Sequence, residues 1–297
     1  MSDVDEPATP VMLSASSSES RTDTLCDIIS SFDNVVIPSE FRRDSVDNPP
    51  LDVPSDGILV PGNLATTMYR LAYRNDAFYR LLQQTVPRDE RAKRYYEKQY
   101  TRAQEALRRL SQYGQTGPLG QQLPANSREM DVPECAWILR SIVDQLCEDR
   151  DARLAVAPLS PAVASRLSTI LVMLMAHVIA YKDDIYTNAS WNRNQPPNEH
   201  PRDRNLFAYL IGDPPYDPSY PSFMTNFFVI DRLRAFPTSE WKHMLEELTT
   251  ARDAVEEMRD PMPMSSAFVA RVDDVLRDYT ATADEPSSSS ASMFRRP

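Results

Sequence analysis

Glycine is scarce in this chain: 6 glycines stand among 297 residues, against 25 prolines. Ordinary usage is about 7% glycine. A compact β-protein with many tight turns therefore does not fit, and no Gly-rich loop is available to cradle a phosphate. Low glycine with clustered proline suits helices separated by stiff connectors. Cysteine is also scarce. Cys26, Cys135 and Cys147 are odd in number and irregular in spacing, which gives neither a disulfide framework nor a zinc pattern. The three histidines, His177, His200 and His243, are dispersed and have no metal-ligand spacing. The most apolar run, Ile170 to Ala176, falls far short of the roughly 20 residues of a membrane span, so none is expected. Met1 to Ser20 is acidic and Ser-rich, unlike a basic-then-apolar leader. Nothing in the composition calls for a cofactor, a bound metal or a small-molecule ligand.

The charge that is present is unevenly placed. The formal net charge is −11. Residues 1–57 carry −9, residues 58–120 carry +6, and the remainder carries −8. A global negative charge opposes non-specific binding to nucleic acid, but a local basic segment need not follow the global sign.

Residues 1–57 read as a disordered, acidic, Ser/Pro-rich arm, because that mixture buries too little apolar surface to offset chain entropy. One apolar island, residues 25–37, interrupts it. Leu25, Ile28, Ile29 and Phe32 recur at helical spacing and suit a short docking helix, either for a partner or for the protein's own core. Residues 58–280 read as a helical domain. Asn63 caps an expected helix to about Val86, with Leu64, Met68, Leu71, Phe78 and Leu82 on one stripe. Further helices are expected over about 88–113, 133–149, 223–236, 238–258 and 265–279. Ser160-Pro161 is an N-cap followed by proline at the first helical position, and the near-continuous apolar run after it marks a deeply buried central helix ending near Tyr186. Residues 281–297 are Ser-rich and read as a second disordered tail. The expected fold class is all-α: an irregular multi-helix bundle around one central apolar helix, with disordered N- and C-terminal tails.

Two patterns carry possible chemistry. The first is the basic helix. Arg91, Arg94, Lys98 and Arg102 share one helical face, with Tyr95 and Tyr96 interleaved. Cations beside stacking rings suit nucleic acid, RNA or DNA, bound through residues 88–109. The same face suits an acidic protein partner, and the chain's own acidic arm is one such partner. Glu90, Glu97 and Glu105 sit at spacings of ordinary helical ion pairs, the pattern of a plain solvated helix.

The second pattern is Tyr181-Lys182-Asp183-Asp184. Residues 178–186 resemble the Tyr-x-Asp-Asp hairpin of reverse transcriptases and some viral RNA polymerases. That resemblance implies a strand-turn-strand in which the two carboxylates hold metal ions for nucleotidyl transfer. The residues before it read as a capped helix instead, and no earlier aspartate strand accompanies them. On a helix, Asp183 and Asp184 would sit about 100° apart, a poor cage for one cation. The expected role is the polar exit of the core helix. The sequence thus favours a non-enzymatic interaction, scaffold or assembly protein, for which a helical coat or nucleocapsid-like subunit is one specific version. Its expected partners are other proteins, including further copies of itself.

Overall fold

The computed structural model describes residues 20–49, 56–116, 130–181, 185, 201–211, 227–257 and 266–283. These residues are 81% helical and contain no strand, so the fold is all-α. Of the expected tails 1–57 and 281–297, residues 1–19, 50–55 and 284–297 lie outside the described residues, while 281–283 close the last helix rather than begin a tail.

The N-terminal part requires a correction. Residues 20–49, expected within a disordered arm, are largely helical. Helix α1 (Arg21–Ser30) starts at Ser20, whose side chain accepts a hydrogen bond from the Asp23 amide. Helix α2 (Pro38–Phe41) starts with proline and continues as a π-helical turn to Asp47. Helix α3 (Leu64–Arg74) is capped by Asn63. The single helix expected to run on to Val86 breaks at Asn75, which caps helix α4 (Asp76–Thr85) by accepting from the Phe78 amide at 3.0 Å. The expected stripe holds in part, with Met68 and Phe78 half-buried, but Leu64 is 75% exposed and the inward positions are Tyr69, Ala72 and Leu82. Leu25, Ile28, Ile29 and Phe41 pack on those three residues as one apolar cluster. Averaging composition over the whole acidic arm concealed this core.

The second part is larger. Helix α5 (Arg88–Thr116) pairs with α6 (Val132–Val156) and with α7 (Pro161–Ala180). Shorter helices α8 (Leu206–Leu210), α9 (Phe228–Arg234), α10 (Thr238–Trp241), α11 (Leu245–Glu256) and α12 (Ser266–Ala283) complete it. A 3-10 turn at Lys242–Met244 divides the single helix expected over 238–258.

Helix α7 is the centre, as its composition implied. The Ser160 hydroxyl accepts from the Val163 amide, and Pro161 opens the helix. Val163, Leu167, Ile170, Leu171, Leu174, Met175 and Val178 are all buried. Each such side chain contributes about 1.5–3 kcal/mol of transfer free energy. Among the described residues, α7 is also the helix long and apolar enough to cross a membrane, although no such span was expected from the run Ile170–Ala176. Helices α5, α8, α9, α10 and α11 pack around it, and 61% of its apolar window is buried within the protein, as in a core helix of a bundle.

The two parts have separate apolar cores. Among the described residues, one cluster draws only on residues 25–86 and the other only on residues 92–276. They meet through charge.

Candidate interaction surfaces

The basic stripe of α5 lies at this junction. Arg91 donates to the Asp27 carboxylate at 3.1 Å, and Arg153 of α6 reaches the same carboxylate at 3.3 Å. Arg153 also bonds Asp149 at 2.7 Å. The Lys98 ammonium donates to the Ser30 carbonyl at 2.6 Å and the Val36 carbonyl at 2.9 Å. Ser30 is the last residue of α1, so Lys98 neutralises that helix's carbonyl terminus. Arg102 pairs with Glu40 of α2. The small space among Asp27, Ser31, Pro38, Arg91, Tyr95 and Lys98 leaves no room for water.

Burial sets the electrostatics here. It lowers the Lys98 pKa, against the pull of Asp33 and Asp27. It raises the Asp149 carboxyl above the usual carboxylate range, against the pull of Arg153. Tyr95 is pushed up to about 12 by burial, and the fully buried Tyr96, beside Asp149, is raised for the same reason.

Of the residues expected to meet nucleic acid or an acidic partner, Arg91, Lys98 and Tyr96 are thus buried in the chain itself. Tyr95 is half-buried and accepts from Gln99 at 2.9 Å. Arg102 is half-buried, and Arg94 alone of the six is exposed. Of the expected docking residues, Leu25, Ile28 and Ile29 are consumed by the first core, while Phe32 is 54% exposed.

Asp183 and Asp184 lie outside the described residues. Tyr181 ends α7, and its hydroxyl meets Ser111 Oγ at 2.9 Å and the Leu107 carbonyl at 3.1 Å, which ties the helix exit back to α5. His177 meets the Tyr100 hydroxyl at 2.8 Å and stacks on that ring. Among the described residues no group of three or more His, Cys, Asp or Glu side chains could hold a metal ion. The three thiols are buried, and desolvation pushes Cys26 and Cys135 up to about 12 and Cys147 to about 11.

The surface that the sequence reading missed surrounds Trp137. This side chain is 68% exposed on α6. It stands between two grooves. One, of about 570 Å³, lies along α5 and α6 and is walled by Val35, Ala106, Met130, Ile138 and Ile142. The other, of about 460 Å³, continues along α6 to Phe228 and Arg232. Phe228 has φ 44°, a left-handed conformation that costs a non-glycine residue about 1–2 kcal/mol. Val35, at the edge of the first groove, is itself 68% exposed. The overlooked signal was register. Cys135, Leu139, Ile142 and Leu146 lie on the buried face of α6, and Trp137 is two residues, about 200°, from both Cys135 and Leu139. A tryptophan off the apolar stripe of its own helix has its ring in water.

Comparison of the chain with protein-family models, with curated proteins and with solved structures returns no match.

Proposed function

We propose that this is a non-enzymatic helical interaction protein that engages a protein partner through the Trp137 surface. The observation that carries the reading is the exposure of Trp137 beside a groove with apolar walls. Exposed aromatics at groove mouths supply large contact area at low entropy cost, and tryptophan is the residue type most enriched among interface hot spots. Lys98, Arg102, Arg109 and Glu105 also line the groove, but the Lys98 ammonium is held by the Ser30 and Val36 carbonyls and Arg102 pairs with Glu40, so the apolar walls carry the selection. A partner segment with an apolar anchor fits those walls, and the overall charge of −11 would repel a partner acidic throughout.

The test is a side-by-side purification of the wild-type chain and Trp137→Ala, with identification of bound proteins. A partner recovered with wild type is then titrated with each purified chain. Loss of a hot-spot tryptophan costs about 2 kcal/mol or more of binding. The expected result is therefore an affinity about thirtyfold weaker for Trp137→Ala, with a blue shift of tryptophan emission on binding by wild type only. Equal affinities of the two chains would refute the assignment.

A further inference from the structure

We propose that the α1–α4 unit is exchangeable: it docks on the α5–α6 face of a second copy of this chain as it docks on its own, which gives a reciprocal dimer. This rests on the junction between the two cores and does not depend on the Trp137 reading.

Three observations support it. First, the unit keeps its own apolar core. Leu25, Ile28, Ile29, Tyr69, Ala72 and Leu82 pack within residues 20–86 and share no member with the larger core, of which Tyr95 is the ring that meets the unit at the junction. Second, the hydrogen bonds and ion pairs that hold it on the face are few and directional. Asp27 meets Arg91 and Arg153, Glu40 meets Arg102, and the Ser30 and Val36 carbonyls meet Lys98. Whatever covers these cations takes them out of water and must pair them, so the face selects an occupant with carboxylates and carbonyls at these positions. A second copy of α1–α2 supplies each of them in the same arrangement.

Third, the connection is a single peptide with nothing to lose. The Val86 amide donates to the Leu82 carbonyl at 2.9 Å and so belongs to α4. The Pro87 carbonyl accepts from the Arg91 amide at 3.1 Å and so belongs to α5. Between them lies the Val86–Pro87 bond. Pro87 has no N–H, so reorienting the two units at this point breaks no backbone hydrogen bond. Proline also keeps Val86 out of the helical region, and here it has φ −121° and ψ 84°. The chain cannot close the gap by continuing one helix from α4 into α5. Short hinges of this kind favour exchange over closure when the local concentration is high. In a single copy the tether gives the unit an effective concentration of about a millimolar, so exchange belongs to crowded or assembling chains.

The pair Arg102–Glu40 makes a clean test, because both side chains are partly exposed and neither belongs to an apolar core. Glu40→Arg and Arg102→Glu are prepared as two full-length proteins, their folding is checked by circular dichroism, and they are mixed. Each protein alone places like charges together, whether closed or exchanged. In the mixture, exchange restores both pairs across two chains. Native mass spectrometry is expected to show a heterodimer at least about tenfold more abundant than either homodimer. A second arm uses the wild-type chain, concentrated and then diluted, against a chain with four Gly/Ser residues inserted between Val86 and Pro87. The insertion lets each unit close on its own chain, so the dimer fraction should fall. Monomers throughout both arms overturn the proposal. So does a dimer that survives the insertion and shows no preference for the mixed pair, which would instead place self-association on another surface.

Discussion

Replacing Asp27 by alanine removes the one carboxylate shared by Arg91 and Arg153. The side chains of these three residues are 8%, 7% and 10% exposed, so the interaction is screened little by water or salt. Breaking a buried ion pair from one side costs about 3–5 kcal/mol, mainly because the remaining charge has lost its compensation. Arg153 keeps Asp149 at 2.7 Å. The junction thus keeps part of its compensation, and the expected destabilisation is about 3 kcal/mol, the lower end of that range. A domain of ordinary stability, about 5–15 kcal/mol, survives this. The assay is urea unfolding followed by far-ultraviolet circular dichroism. A companion variant sharpens it. Asp27→Leu combined with Arg91→Met removes both charges and leaves the Arg153–Asp149 pair intact, so it should recover most of the loss. If Asp27→Ala lies within about 1 kcal/mol of wild type, the pair behaves as a surface ion pair and the buried junction is wrong.

Further outcomes follow from single groups. Asp33 Oδ1 accepts from the Val35 and Val36 amides at 2.6 and 2.8 Å, and these bonds hold its pKa below the ordinary 3.8. A lowered carboxyl pKa stabilises the fold above 3.8, and that contribution is lost as pH falls through the lower folded value. Asp33→Ala should remove this part of the acid sensitivity, as read by urea midpoints across that window; an unchanged pH profile would contradict it. The three thiols should resist alkylation at pH 8 in the native protein and react once it is unfolded, since burial raises each to about 11 or 12. Cys26 sits inside the first core, so it should stay protected even when α1–α4 leaves α5 as a folded body; rapid native labelling of Cys26 would show α1 unravelling instead.

The parts of the fold that local signals specify were readable. Ser160-Pro161 and the apolar run behind it located α7, and Asn63 located the start of α3. Asn75-Asp76 carries an equally plain cap, three residues before Phe78, yet a continuous apolar stripe outweighed it. The island at 25–37 had helical spacing, but its fate depended on Tyr69, Ala72 and Leu82, more than thirty residues away. The junction was the least legible. Arg91, Lys98 and Arg102 show their helical periodicity in the sequence, whereas the carboxylates and carbonyls they meet lie some 62 to 68 positions earlier. Periodicity places a charge on a face and does not say whether that face meets water, a ligand or the same chain. Trp137 was hidden for the opposite reason: Ile138 and Ile142 beside it carry the apolar pattern of α6, and a single ring outside that pattern leaves no periodic signal.

The central claim is that two apolar cores meet across an ionic junction, and native-state hydrogen exchange tests it most directly. In mild denaturant, amides of α1 and α3 should exchange through one shared opening that costs less free energy than the opening of α6 and α7. Asp27→Ala should lower both opening energies by a similar amount, about 3 kcal/mol, because both openings break the junction, and the gap between them should persist. A single opening energy common to α1, α3, α6 and α7, shifted as a whole by that substitution, would contradict the account.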